Sequence, residues 1–193
     1  MLAERIPPPD LARVVVVGTS GAGKTTLARR LAEILGSEHV ELDSLHWGPG
    51  WTPRPEFVAT VRAAAERPRW VIDGNYAAVR DILWRRSTAL VWLDFSLTRV
   101  LARALRRTAR RIVTRERLYA GNRESVRSAL LAKDGIPWWV IRTHGRRRRE
   151  FPELLERPEY RHLAVIRLES PAAAGTFLAA ADSRPQASCS PNA

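Results

Sequence analysis

Gly18-Thr19-Ser20-Gly21-Ala22-Gly23-Lys24-Thr25 is the stretch of this chain best equipped for chemistry, and that chemistry is the holding of phosphate. It fits the pattern of glycine, four residues, glycine, lysine and a hydroxyl residue. Glycines let the backbone curl until successive N–H groups converge on phosphate oxygens, helped by the N-terminus of a following helix. Gly18, Ser20, Gly21, Ala22, Gly23, Lys24, Thr25 and Thr26 are therefore the candidate nucleotide-binding residues, and ATP with Mg²⁺ is the expected cofactor pair. Lys24 would reach the β- and γ-phosphates as a point charge, and Thr25 would place its hydroxyl on Mg²⁺. Composition supports this. Of 32 basic residues, 30 are Arg, and Lys24 is one of two lysines, the other being Lys133. A compact ammonium suits such a loop better than a planar guanidinium fork.

Three carboxylates fall at the ends of apolar runs: Asp43 (HVELD), Asp73 (WVID) and Asp94 (LVWLD). Sheets with helices on both faces gather ligands at the C-terminal ends of their strands. One of these carboxylates would serve Mg²⁺, directly or through water, and another could take the proton of an attacking hydroxyl. Each could equally cap the next helix, which is the reading favoured for Asp94.

Arginine is concentrated. The net charge is +12, and residues 99–149 alone hold 16 basic against 3 acidic residues. Drawn at 100° per residue, Arg99, Arg103, Arg106, Arg107, Arg110 and Arg111 share an arc of about 140°, opposite Leu101, Leu105, Ala109 and Ile112. The expectation is that the leucine face packs and the arginine face meets solvent. Guanidinium groups so crowded repel, so a polyanion is their natural partner, either a nucleotide's phosphates or a nucleic-acid backbone. Arg146–Arg149 could bind phosphate, extend that basic surface or stay solvated. Trp47 and Trp51, around Gly48-Pro49-Gly50, could line a substrate pocket or pack, and Trp138-Trp139 is expected to supply one core residue. His39, His46, His144 and His162 lack the spacing of metal ligands.

The elements that must carry these residues alternate. Arg13–Val17 is a β-branched run of the kind buried on both faces of a parallel sheet. Residues 39–43, 70–73, 90–94 and 163–168 read as further strands. Helices are expected over 24–35, stopped by Gly36, and over 55–66, 76–86, 98 onward and 171–181. Alternation of this kind implies right-handed βαβ units. A proline-led leader over 1–12 and a Ser/Pro/Ala-rich tail over 183–193 should be unstructured, leaving one domain over 13–182. A single cysteine, Cys189, excludes a disulfide framework, and no apolar run reaches the ~20 residues of a membrane span. A cytoplasmic protein is expected, with no membrane partner.

Val14–Thr26, LDSLHWGPGW (42–51), WVIDGNY (70–76) and Leu93-Asp94 with its arginine-rich helix together resemble adenylate-kinase-like P-loop proteins, and most closely the DNA topology modulation family. The resemblance covers roughly residues 13–180. It implies an α/β P-loop NTPase fold, a three-layer sandwich with a five-stranded parallel sheet, an acceptor-binding helical region after the second strand and an Arg-rich helical lid over about 99–149. It also implies that Asp73 supports Mg²⁺ through water and that Arg103 and Arg107 contact ATP. Asn75-Tyr76 stands where nucleoside monophosphate kinases carry Phe-Pro-Arg, which argues against AMP as acceptor. The function so implied is ATP/Mg²⁺-dependent transfer of phosphate to a small molecule. Lys24, Arg103 and Arg107 would stabilise charge, and Asp43 would orient or deprotonate the acceptor. The alternative is a nucleic-acid-associated P-loop ATPase whose arginines track a phosphate backbone.

Overall fold

The computed structural model describes residues 9–122 and 135–183. Most of the expected leader (1–8), part of the expected lid (123–134, with Lys133) and the tail from 184 on, with Cys189, lie outside the described residues.

Among the described residues, five parallel strands form one sheet: β1 (Arg13–Gly18), β2 (Glu38–Glu41), β3 (Trp70–Asp73), β4 (Ala89–Leu93) and β5 (Ala164–Leu168). Their spatial order is β2-β3-β1-β4-β5. β1 is central, paired with β3 from Arg13↔Trp70 to Val16↔Asp73 and with β4 from Val14↔Ala89 to Gly18↔Leu93. The valine run explains its position, since Val14–Val17 are at most 1% exposed. Their alternation feeds two cores. Val14 and Val16 join α1 (Lys24–Leu35), α5 (Leu97–Thr114) and α7 (Pro171–Asp182) on one face. Val15 and Val17 join α3 (Phe57–Ala65) and α4 (Ala77–Arg86) on the other. A long helix, α6 (Ile136–Leu155), gives Val140 to the first core and Phe151 and Leu154 to the second. The chain is thus the expected α/β three-layer sandwich. Gly36 ends α1 as read, in the left-handed conformation, with its N–H on the last-turn carbonyls of Ala32 and Glu33.

Three expectations are corrected. Asp43 does not end a strand: β2 stops at Glu41, and Leu42–His46 forms a short helix, α2, with Asp43 in its first turn. The chain turns there because Leu42, 1% exposed, plugs against Gly74. A Cβ on Gly74 (φ +145) would lie 2.7 Å from Leu42 Cβ, so this contact requires glycine.

The packing face of α5 is also rotated from the expected one. Val100, Ala104 and Thr108 are fully buried, whereas Leu105 is 37% exposed and Ala109 is exposed. The cause is direct contact with the glycine loop, because a Cβ on Gly21 (φ +85) would meet the Val100 carbonyl oxygen at 2.5 Å. Small residues must face a backbone so close. In consequence Arg107 and Arg111 move to the half-buried edge, and Arg99, Arg103, Arg106 and Arg110 stay exposed.

Finally, neither tryptophan of the 138–139 pair is core; they are 59% and 45% exposed. Among the described residues, no helix is long and apolar enough to cross a membrane.

Candidate active site

β1 ends in Gly18, the glycine loop follows, and α1 begins at Lys24, so the loop amides and the helix N-terminus point to one place beyond the strand ends. Arg107 Nη2 donates to Ser20 Oγ at 3.0 Å, which ties α5 to the loop. The Arg103 guanidinium lies about 3.7 Å from where a Gly23 Cβ would be. Both arginines singled out from the sequence therefore meet the loop, from one helix.

Thr25 Oγ1 sits 3.1 Å from both Glu41 Oε1 and Asp73 Oδ1. The other oxygen of Asp73 is 2.7 Å from His39 Nε2, and the Tyr119 hydroxyl donates to Glu41. Glu41 was not singled out in the sequence, and His39 was named there only as lacking metal-ligand spacing. Reading the strand to Asp43 hid Glu41, although it occupies the strand-end position that was sought. Alternation along β2 places His39 and Glu41 on the same side, which is the one signal that could have found them.

A cavity of about 570 Å³ opens between the loop and the segment after β2. Lys24, Asp43, Tyr76, Arg80 and Arg147 line it, with Trp47 and Trp139 among its aromatic walls. Burial holds the Lys24 ammonium below the ordinary lysine range, and the charges of Asp43 and Asp73 partly offset this. The Tyr76 hydroxyl donates to Asp43 Oδ1 at 2.6 Å. Burial, then the Asp43 charge and this bond, hold the phenol well above its usual range. Burial also depresses His46, whose ring packs edge-on against Trp47 and Phe57 at 4.5 and 4.7 Å between centroids. Of the two tryptophans left open by the sequence, Trp47 lines the cavity and Trp51 stacks edge-on behind it at 5.8 Å.

A second cavity, of about 460 Å³, lies on the other side of the loop, between Gly23, Thr26, Arg103, Phe95 and α7.

The Arg146–Arg149 run divides. Arg146 Nε is 3.5 Å from Glu150, Arg147 Nη1 donates to the Gly18 carbonyl at 3.4 Å, and Arg148 Nε donates to Asp94 Oδ1 at 2.6 Å. Asp94 also accepts from Arg167 Nε at 2.9 Å. It does not cap the helix after it, as was expected, for the residue preceding α5 is Ser96 and no side-chain cap forms there. Its carboxylate is taken up by two arginines that tie β5 and α6 to the end of β4.

No protein-family model and no curated protein matches the chain. Among solved structures, it is similar to a shikimate kinase from Bacteroides thetaiotaomicron, with 18% identity, 88% of this chain and 95% of that chain covered, and a TM-score of 0.52. A shikimate kinase from Acinetobacter baumannii in complex with shikimate gives 19% identity, 89% and 91% coverage, and a TM-score of 0.50. At this identity the likeness is one of fold: a five-stranded parallel α/β architecture.

Proposed function

We propose that this chain is an ATP- and Mg²⁺-dependent phosphotransferase acting on a small hydroxylated acceptor, within one domain over 13–182 whose lid runs over about 99–149. One observation carries the reading. Lys24, at the start of the helix after the glycine loop, and Asp43, on the segment after β2, line the same cavity and feel each other's charge.

The parts then take these roles. The loop from Gly18 to Thr26 cradles the β- and γ-phosphates, and the base end of ATP fits the second cavity beside Arg103. Lys24, Arg103 and Arg107 spread the charge that develops on the transferring group. Mg²⁺ keeps most of its waters and needs few protein oxygens, and the Thr25 hydroxyl with Asp73 and Glu41 supplies such an oxygen set. The bound ion would neutralise phosphate charge. Asp43, held by the Tyr76 hydroxyl, orients the acceptor's O–H and takes its proton as the oxygen bonds to the γ-phosphorus and the bond to the β–γ bridging oxygen breaks, releasing ADP.

A screen of γ-labelled ATP against nucleosides, sugars and hydroxy acids, read as labelled product, tests the reaction. Lys24→Ala should abolish turnover. Asp43→Asn should lower kcat by about 10²-fold or more while ATP affinity is held, as loss of a general base does. Unchanged turnover in Asp43→Asn would remove that residue from the mechanism.

The exposed guanidinium groups of Arg99, Arg103, Arg106 and Arg110 favour a second reading, a nucleic-acid-associated ATPase such as the topology modulation resemblance implies. Four phosphate contacts predict a loss of duplex affinity of roughly 10²-fold between about 50 and 200 mM salt. Binding that is absent at low salt would exclude it.

A further inference from the structure

The larger cavity holds more positive charge than the transfer step uses. Arg80 from α4 and Arg146 and Arg147 from α6 all line it. Glu150 pairs with Arg146 at 3.5 Å. Among the described residues, Arg147 donates to a neutral acceptor, the Gly18 carbonyl, and the Arg80 guanidinium stacks 5.6 Å from the Trp84 ring centroid. Among the described residues, no carboxylate forms an ion pair with Arg80 or Arg147, and both are half-buried. Burial and the neighbouring charges of Arg146 and Arg80 bring Arg147 down to about 10, with Glu150 and Asp43 offsetting this only in part. Two guanidinium groups, Arg80 and Arg147, with no carboxylate paired to them in a partly dry cavity are costly, and a planar bidentate anion matches their geometry. The remaining walls, Trp47, Tyr76 and Trp139, offer flat apolar surface to the body of a ligand.

We propose that the acceptor is a small organic anion, a carboxylate or a phosphate monoester, whose charged end is held by Arg80 and Arg147 while its hydroxyl faces Asp43. The word acceptor rests on the phosphotransferase reading; the anion site does not.

The test uses the full chain with its phosphate loop filled by Mg²⁺ and a non-hydrolysable ATP analogue. Inorganic phosphate, acetate and neutral glycerol are titrated separately at constant ionic strength and read by tryptophan fluorescence, since Trp47, Trp84 and Trp139 line the cavity. A saturable response to phosphate assigns a phosphate monoester, a response to acetate assigns a carboxylate, and glycerol should give none. Arg80→Gln and Arg147→Gln should each weaken the response about tenfold or more, as loss of a charged hydrogen-bond donor does. Arg80→Lys should restore part of it, and Arg62→Gln, on the exposed side of α3, should leave it unchanged. No saturable response to either anion, or one that survives both glutamine variants, overturns the proposal. A response lost in Arg80→Gln from a protein that phosphorylates nothing would instead overturn the phosphotransferase reading and leave the anion site standing.

Discussion

Asp94 is 3% exposed and accepts from Arg148 and Arg167, whose side chains are 43% and 48% exposed. Because the arginines keep much of their hydration, the pairing is worth less than a fully buried one, and Asp94→Ala should cost about 2 kcal/mol, read as a fall in denaturant midpoint. It should also lower turnover, since Arg148 holds α6 where Arg147 meets the Gly18 carbonyl. A variant as stable and active as the parent would show that the anchor is idle. At this scale the sequence was legible where the contacts are local. The loop from Gly18 to Thr25 was legible as one unit because its residues are contiguous, from the end of β1 to the start of α1. Glu41, His39 and Arg80 were not legible, since their partners Thr25, Asp73 and Trp84 come from other elements or, for Trp84, from a contact a charge pattern does not reveal. Asp94 was misread for the same reason: its partners Arg148 and Arg167 lie 54 and 73 residues away.

The register of α5 decides how the arginines are used. The sequence pattern put Leu105 in the core and the six arginines on one outer face. The helix instead packs through Val100, Ala104 and Thr108, because only small or β-branched side chains fit against Gly21. A helical wheel weighs hydrophobicity, and steric contact with Gly21, in a loop far earlier in the chain, does not enter it. Two substitutions separate the alternatives. Val100→Ala should cost roughly 2 kcal/mol from the cavity it leaves. Leu105→Gln, on the exposed side, should stay within about 0.5 kcal/mol of the parent. The reverse order in thermal unfolding would restore the leucine face.

Over the whole molecule, the three tyrosines form a pH probe. All three phenols are raised in the folded protein: Tyr160 to about 12, by burial and by its bond to Asp81, and Tyr76 and Tyr119 further, by burial together with Asp43 or Glu41. In an unfolded chain they ionise near the ordinary value of about 10. A folded value above the unfolded one means stability that is complete below about pH 10 and is lost as pH rises from there toward 12, because unfolding then releases protons. A spectrophotometric titration should show no tyrosinate until that upper range and then a cooperative step as the protein unfolds. Tyrosinate appearing smoothly near pH 10 in protein that stays folded would contradict these environments.

The order of the sheet has a consequence for synthesis. Among the described strands the earliest in the chain, Arg13–Gly18, takes the centre, and its neighbours begin at Trp70 and Ala89. Four consecutive valines therefore leave the ribosome ahead of either strand they pair with in the sheet, the earlier of which ends at residue 73. At typical translation rates that wait is roughly 3 to 11 s. An uncharged β-branched run left open for seconds invites pairing between nascent chains. Arg13 on one side and the Gly18–Gly23 loop on the other are the flanking features that interrupt such a run. The strand that leads into the glycine loop is thus also the segment through which slow or crowded synthesis of this chain would lead to aggregates.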